Sequence, residues 1–102
     1  MYIKLCDVSV LSVDEPRSFK VNNKDLMVIL HDGNFFCLAG RCTHAGAQLF
    51  EGTLNGQVLT CPWHYSQFDI TTGTVLHGPA GEPLKFYRNE IKDHYLYVEL
   101  EG

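Results

Sequence analysis

Four residues in two short boxes carry the chemistry of this chain. Cys42-Thr43-His44 is followed, after sixteen intervening residues, by Cys61-Pro62-Trp63-His64. Each box offers one thiolate and one imidazole. Together they make a donor set of two sulfurs and two nitrogens. That set suits a tetrahedral structural zinc. It also suits a cluster of two irons, one holding both thiolates and the other both imidazoles. Soft sulfur sites serve both kinds of metal. Common zinc fingers place both Cys in one segment and both His in another. Here each segment mixes the two types, which favours the divided, two-iron arrangement. Two such mixed pairs beside Gly- and Pro-rich loops argue against four unrelated residues.

The elements that must position these boxes read as nearly all β. Tyr2 to Cys6 alternates as a short strand, and Asp14-Glu15-Pro16 marks a loop because proline lacks a donor. Ser18 to Asn22 alternates like a half-buried strand, and Asn22 to Asp25 is turn chemistry. Leu26 to Leu30 is an unbroken apolar run, the pattern of a strand buried on both faces. Asp32-Gly33 predicts a hairpin into a strand from Asn34 to Ala39. Asn55-Gly56 predicts a second hairpin between Thr53-Leu54 and Gln57 to Thr60. The two boxes therefore lie in loops on either side of a small hairpin, which can bring them face to face. Phe68 to Ile70 reads as a short strand and Thr71-Thr72-Gly73 as a turn. Gly78 to Pro83 cannot hold regular structure. Lys85 to Ile91 and His94 to Leu100 predict a closing hairpin across Lys92-Asp93, with Leu96, Val98 and Leu100 facing one way. One helical turn is expected near Ala45 to Phe50.

The chain has 102 residues and a formal net charge of −4, from twelve acidic against eight basic residues. That size fits one domain, residues 1–102, with a small core that a metal centre supplements. The acidic balance argues against nucleic acid and anionic membranes as partners. The first seven residues lack the apolar run of a signal peptide, and no window approaches a membrane span. Of the four cysteines, Cys6 and Cys37 fall outside the boxes, in apolar strand-like segments, and read as free buried thiols. A reducing, cytoplasmic setting follows. His31, His77 and His94 read as surface or strand histidines, with His77 nearest the boxes. No Ser–His–Asp order, phosphate-binding glycine loop or open mononuclear iron triad is evident. Four protein ligands leave no vacant position for substrate, so the expected activity is electron transfer, not catalysis.

The stretch from Cys42 to Tyr87 resembles Rieske-type [2Fe–2S] ferredoxins that serve bacterial oxygenases. The resemblance rests on the two boxes, Gly46, Phe68-Asp69, Thr72-Gly73, Gly78-Pro79-Ala80 and Pro83-Leu84. It implies an antiparallel β-sandwich or barrel with a small inserted cluster-binding subdomain, at about residues 40–66. It also implies one [2Fe–2S] cluster per chain, ligated by Cys42, His44, Cys61 and His64. Its partners would be a flavin-dependent ferredoxin reductase and a terminal oxygenase, and the carrier a monomer. The loop Gly78-Pro79-Ala80 would cover the cluster from a third side. An alternative resemblance is to the small, non-catalytic subunit of assimilatory nitrite reductase; keeping all four ligands favours the carrier.

The resemblance also bears on potential. In the oxidised cluster two ferric ions balance two sulfides and two thiolates, so the centre is neutral where an all-Cys cluster is dianionic. A less negative centre accepts an electron more readily, and such centres span about −150 to +300 mV. Respiratory members carry an extra Cys in each box, joined in a disulfide; those positions here hold Ala47 and Trp63. Respiratory members also place a Ser and a Tyr hydroxyl near the cluster sulfurs. Ser66 matches the first, while Phe68 replaces the second. The expected potential lies in the lower half of the range. Many members have Gly directly after the second ligand His, where this chain has Tyr65. If that position demands positive φ, Tyr65 is strained.

Overall fold

The computed structural model describes residues 1–42, 46–63, 65–78 and 81–100. Among these, the strands in chain order are β1 (Tyr2–Asp7), β2 (Arg17–Val21), β3 (Lys24–His31), β4 (Asn34–Ala39), β5 (Thr53–Asn55), β6 (Val58–Thr60), β7 (Gln67–Asp69), β8 (Val75–His77), β9 (Phe86–Tyr87), β10 (Asn89–Lys92) and β11 (Tyr95–Glu99). Two single 3-10 turns, Val8–Val10 and Leu49–Glu51, complete the regular structure. The second overlaps only the end of the helical turn expected near Ala45 to Phe50: Gly46 to Gln48 are not helical, and Ala45 lies outside the described residues. The all-β, antiparallel expectation holds.

Three sheets form, in the orders β1-β11-β10, β2-β3-β4-β9 and β5-β6-β7-β8. The central one is built on the hairpin of β3 and β4, which pairs Leu26 with Ala39 through to His31 with Asn34. Asp32 and Gly33 both take positive φ, 50° and 79°. That backbone twist matches the twist of the flanking strands.

β3 is the wall between two cores. Leu26, Met27, Val28 and Ile29 are all fully buried. Successive side chains of a strand point to opposite faces. Leu26 and Val28 accordingly join Cys37, Leu96, Val98 and Leu100 on one face. Met27 and Ile29 join Leu38, Leu49, Leu59, Phe68 and Ile70 on the other, together with Cys42 and Cys61. Each such buried side chain contributes about 1.5–3 kcal/mol. The continuous apolar run in the sequence thus has its reason: both faces of β3 are covered by sheets.

Several boundaries differ from expectation. The stretch 85–91 is not one strand: β9 pairs with β4, while β10 pairs with β11 in another sheet. Arg88 separates them, and Asn89 Nδ2 donates to the Phe35 carbonyl at 3.0 Å to fix the crossing. The closing turn centres on Asp93 and His94, at φ 53° and 70°, one residue later than expected. Asn55 pairs with Val58, so the second hairpin turns at Gly56-Gln57, with Gly56 at positive φ. β8 was not foreseen, because Val75–His77 is too short to show a period. Cys37 is fully buried, and burial pushes its thiol up to about 12. Cys6 is only half-buried, beside the register shift in β1; both thiols are free, as expected.

Candidate metal centre

The two boxes open two loops with the same backbone closure. The Cys42 N–H donates to the Ala47 carbonyl at 2.9 Å, and the Cys61 N–H donates to the Ser66 carbonyl at 2.8 Å. In each loop the residue four past the cysteine sits at positive φ: Gly46 at 69° and Tyr65 at 62°. The residue five past it is buried, Ala47 in the first and Ser66 in the second. The loops differ at the fourth residue. Glycine takes that conformation freely, whereas an L-side chain there costs about 1–2 kcal/mol. Tyr65 accepts the strain without a shift of the loop.

Each loop is fixed by what flanks it. The first leaves β4 through Gly40, whose N–H donates to the Asp25 carbonyl at 2.8 Å. Its far end returns through Leu49, whose N–H donates to the Gly40 carbonyl at 2.9 Å. The second loop bridges β6 and β7, which pair Thr60 with Gln67 across its base. Gly52 permits a close approach between the two: a Cβ there would lie 2.2 Å from the Thr60 carbonyl oxygen, one residue before Cys61.

Cys42 and Cys61 are both buried in one apolar cluster with Phe68, their thiols near enough to interact. Burial pushes the Cys61 thiol above its ordinary value. The Trp63 backbone N–H opposes that shift, and the hydrogen bond and charge of Cys42 add to it. Two thiolates facing each other in an apolar site repel unless a cation lies between them. A ferric ion supplies that charge, and metal binding at such a pair releases protons. The thiol half of the donor set therefore fits a cluster. His44 and His64 lie outside the described residues, as do Pro79 and Ala80 of the expected covering loop.

None of the remaining histidines lies in a cysteine-led loop. His31 Nδ1 contacts Asp14 Oδ1 at 2.6 Å, and His94 lies in the β10–β11 turn. His77 is exposed on β8 opposite Gln67. Trp63 and Tyr65 are 57% and 70% exposed, so the second loop presents two large aromatic side chains beside buried Cys61. Ser66 is buried with its side chain partnered. Phe68 is fully buried, in the same apolar cluster as the two thiols.

Sequence reasoning missed Arg41. Its Nε donates to Asp25 Oδ2 at 2.6 Å and its Nη1 to the Gly46 carbonyl at 2.8 Å. That hydrogen bond holds the Asp25 carboxyl below its ordinary value of 3.8. The sequence offered one faint signal, a basic residue directly before Cys42. Its partner lies sixteen residues away.

An all-β frame with two cysteine-led loops over one apolar core is the architecture of a domain built to hold an iron–sulfur centre. The Rieske [2Fe–2S] domain family matches residues 1–88, and this chain belongs to that family. It carries the family's single [2Fe–2S] cluster. It is 32% identical over 99 residues to the ferredoxin CarAc of Metapseudomonas resinovorans, covering 96% of this chain and 92% of that one. It is 30% identical to the ferredoxin component of biphenyl 2,3-dioxygenase from Rhodococcus jostii, covering 97% and 92%. Among solved structures, it superposes with a TM-score of 0.87 and 32% identity on a chain from the complex of reduced oxygenase and oxidised ferredoxin in carbazole 1,9a-dioxygenase, covering 98% and 97%. Among the described residues, no helix is long and apolar enough to cross a membrane.

Proposed function

We propose that this protein is the ferredoxin component of an oxygenase system, passing single electrons from a flavin-dependent reductase to a terminal oxygenase. The observation that carries the reading is the pair of buried, facing thiols at the head of two loops with one backbone closure. Cys42 and Cys61 hold one iron, and His44 and His64 hold the other. The cluster supplies a one-electron couple. The chain's own part is to hold the thiolates against an apolar core and to present a docking surface. Phe68 keeps water from the inner side of the thiols. Trp63 and Tyr65 face outward, where large aromatic side chains anchor protein partners well.

Residues 1–102 act as one domain, with the cluster-binding part at about 40–66. The sheet of β5 to β8 frames the second loop and runs on to His77, past that bound. The setting is cytoplasmic: Cys6 and Cys37, the thiols outside the two boxes, are free, which suits a reducing compartment. With Phe68 in place of a hydroxyl-bearing residue, the potential falls in the lower half of the Rieske range. Relatives that match nearly end to end are ferredoxin components, which sets the nitrite reductase subunit aside. The test is composition and turnover. The isolated protein should be red-brown, with two irons and two acid-labile sulfides per chain. It should take one electron from a flavin reductase and lose it to an oxygenase. A colourless, zinc-containing protein would sink the reading.

A further inference from the structure

The Arg41 guanidinium is a fork between the base of the fold and the first ligand loop. One nitrogen binds the Asp25 carboxylate, on β3, at 2.6 Å; another binds the Gly46 carbonyl, inside the loop, at 2.8 Å. The Gly46 peptide is tied on its other side too, since its N–H donates to the Cys42 carbonyl at 2.9 Å. Gly46 is therefore held on both sides, by Cys42 and by Arg41, which directly precedes Cys42. A planar fork with several donors does this; an ammonium point charge does not. The Arg41 and Asp25 side chains are 50% and 24% exposed, so the pair adds little to global stability. Its consequence is local: a fixed positive charge is held one residue from a cluster ligand, with a carboxylate as its counter-charge.

Charge and hydrogen bonding around an iron–sulfur cluster set its potential. The reduced cluster is one unit more negative than the oxidised one. A nearby cation stabilises the reduced state, and a nearby anion destabilises it. We propose that Arg41 positions the first ligand loop and, with Asp25 as counter-charge, tunes the reduction potential of the cluster. The proposal rests on the ligand assignment above, and the iron content and visible spectrum of the parent protein check that assignment separately.

The experiment is a redox titration of the holoprotein and three variants. Arg41→Ala should lower the midpoint, weakening reduction about threefold to tenfold, where tenfold is about 59 mV for one electron. Asp25→Asn keeps the shape and an accepting oxygen but removes the charge, and should raise the midpoint. Arg41→Lys should stay near the parent midpoint yet lose cluster faster, because the charge is kept and the fork is not. Both shifts should shrink at high salt, since the pair is partly exposed. Opposite signs for Arg41→Ala and Asp25→Asn support the proposal; shifts of one sign, or none, overturn it. Should Arg41→Ala fail to hold its cluster, Asp25→Asn decides alone: an unchanged or lowered midpoint overturns the proposal.

Discussion

The loop from Cys42 to Ala47 and the loop from Cys61 to Ser66 close with the same bond, from the cysteine N–H to the carbonyl five residues on. Both turn at positive φ at the fourth position. Their side chains then diverge. The first loop carries Gly46 and is gripped by Arg41 from the base sheet. The second carries Tyr65 and turns two exposed aromatic side chains outward. A shared closure sets both cysteines at the edge of one apolar core. On the proposed function, the side chains on the loops answer to other demands: bracing in the first, a partner surface in the second. Backbone strain kept at Tyr65, where glycine would relieve it, fits a side chain retained for contact.

The comparison can be broken most severely at the ligands. Replacing His64 with Cys makes a neutral ligand anionic. The midpoint should fall toward the roughly −400 mV of all-Cys clusters, read by redox titration. An unchanged midpoint refutes the ligand assignment for the second loop. A smaller effect separates the two fourth positions. Tyr65→Gly should stabilise the protein by about 1 kcal/mol in denaturant melts, as strain relief exceeds the entropy cost of glycine. The same variant should bind the oxygenase about tenfold more weakly. Gly46→Ala should cost about 1 kcal/mol from strain alone, because a Cβ there meets nothing within 4 Å. Equal signs for the two changes in stability would show that the loops do not share a backbone requirement.

The smallest effect is in acid. The folded Asp25 carboxyl lies below its ordinary 3.8, chiefly through its hydrogen bond with Arg41. A depressed carboxylate contributes stability that is full above the unfolded value and fades as pH falls through the folded one. Cluster loss followed by absorbance should therefore quicken below about pH 4 in the parent. Asp25→Asn should lack that component, and no change on the second loop should remove it.

Much of this was legible in the residues. Leu26–Leu30 announced a strand buried on both faces, and β3 is one. Asp32-Gly33 announced its hairpin, because that turn needs residues that tolerate positive φ. Phe68 was read as a missing hydroxyl, and its place in the core cluster that holds both thiols was not foreseen. The segment 85–91 looked like one strand because local alternation does not record which sheet a residue joins. Arg41 passed unnoticed because its worth depends on Asp25, which only the path of β3 and β4 brings near.

What the sequence by itself determined is the candidate donor set. Two Cys and two His in mixed boxes belong to the residues themselves, and they narrow the metal to zinc or a two-iron cluster before any fold exists. Hairpin turns and the buried strand are also local, since they depend on neighbours a few positions apart. The tertiary structure alone decided that Cys42 and Cys61 face each other, that β3 divides two cores, that Tyr65 bears strain and that Arg41 spans loop and base. Each of these is an energy of contact between segments distant along the chain, and no local pattern encodes where such segments meet.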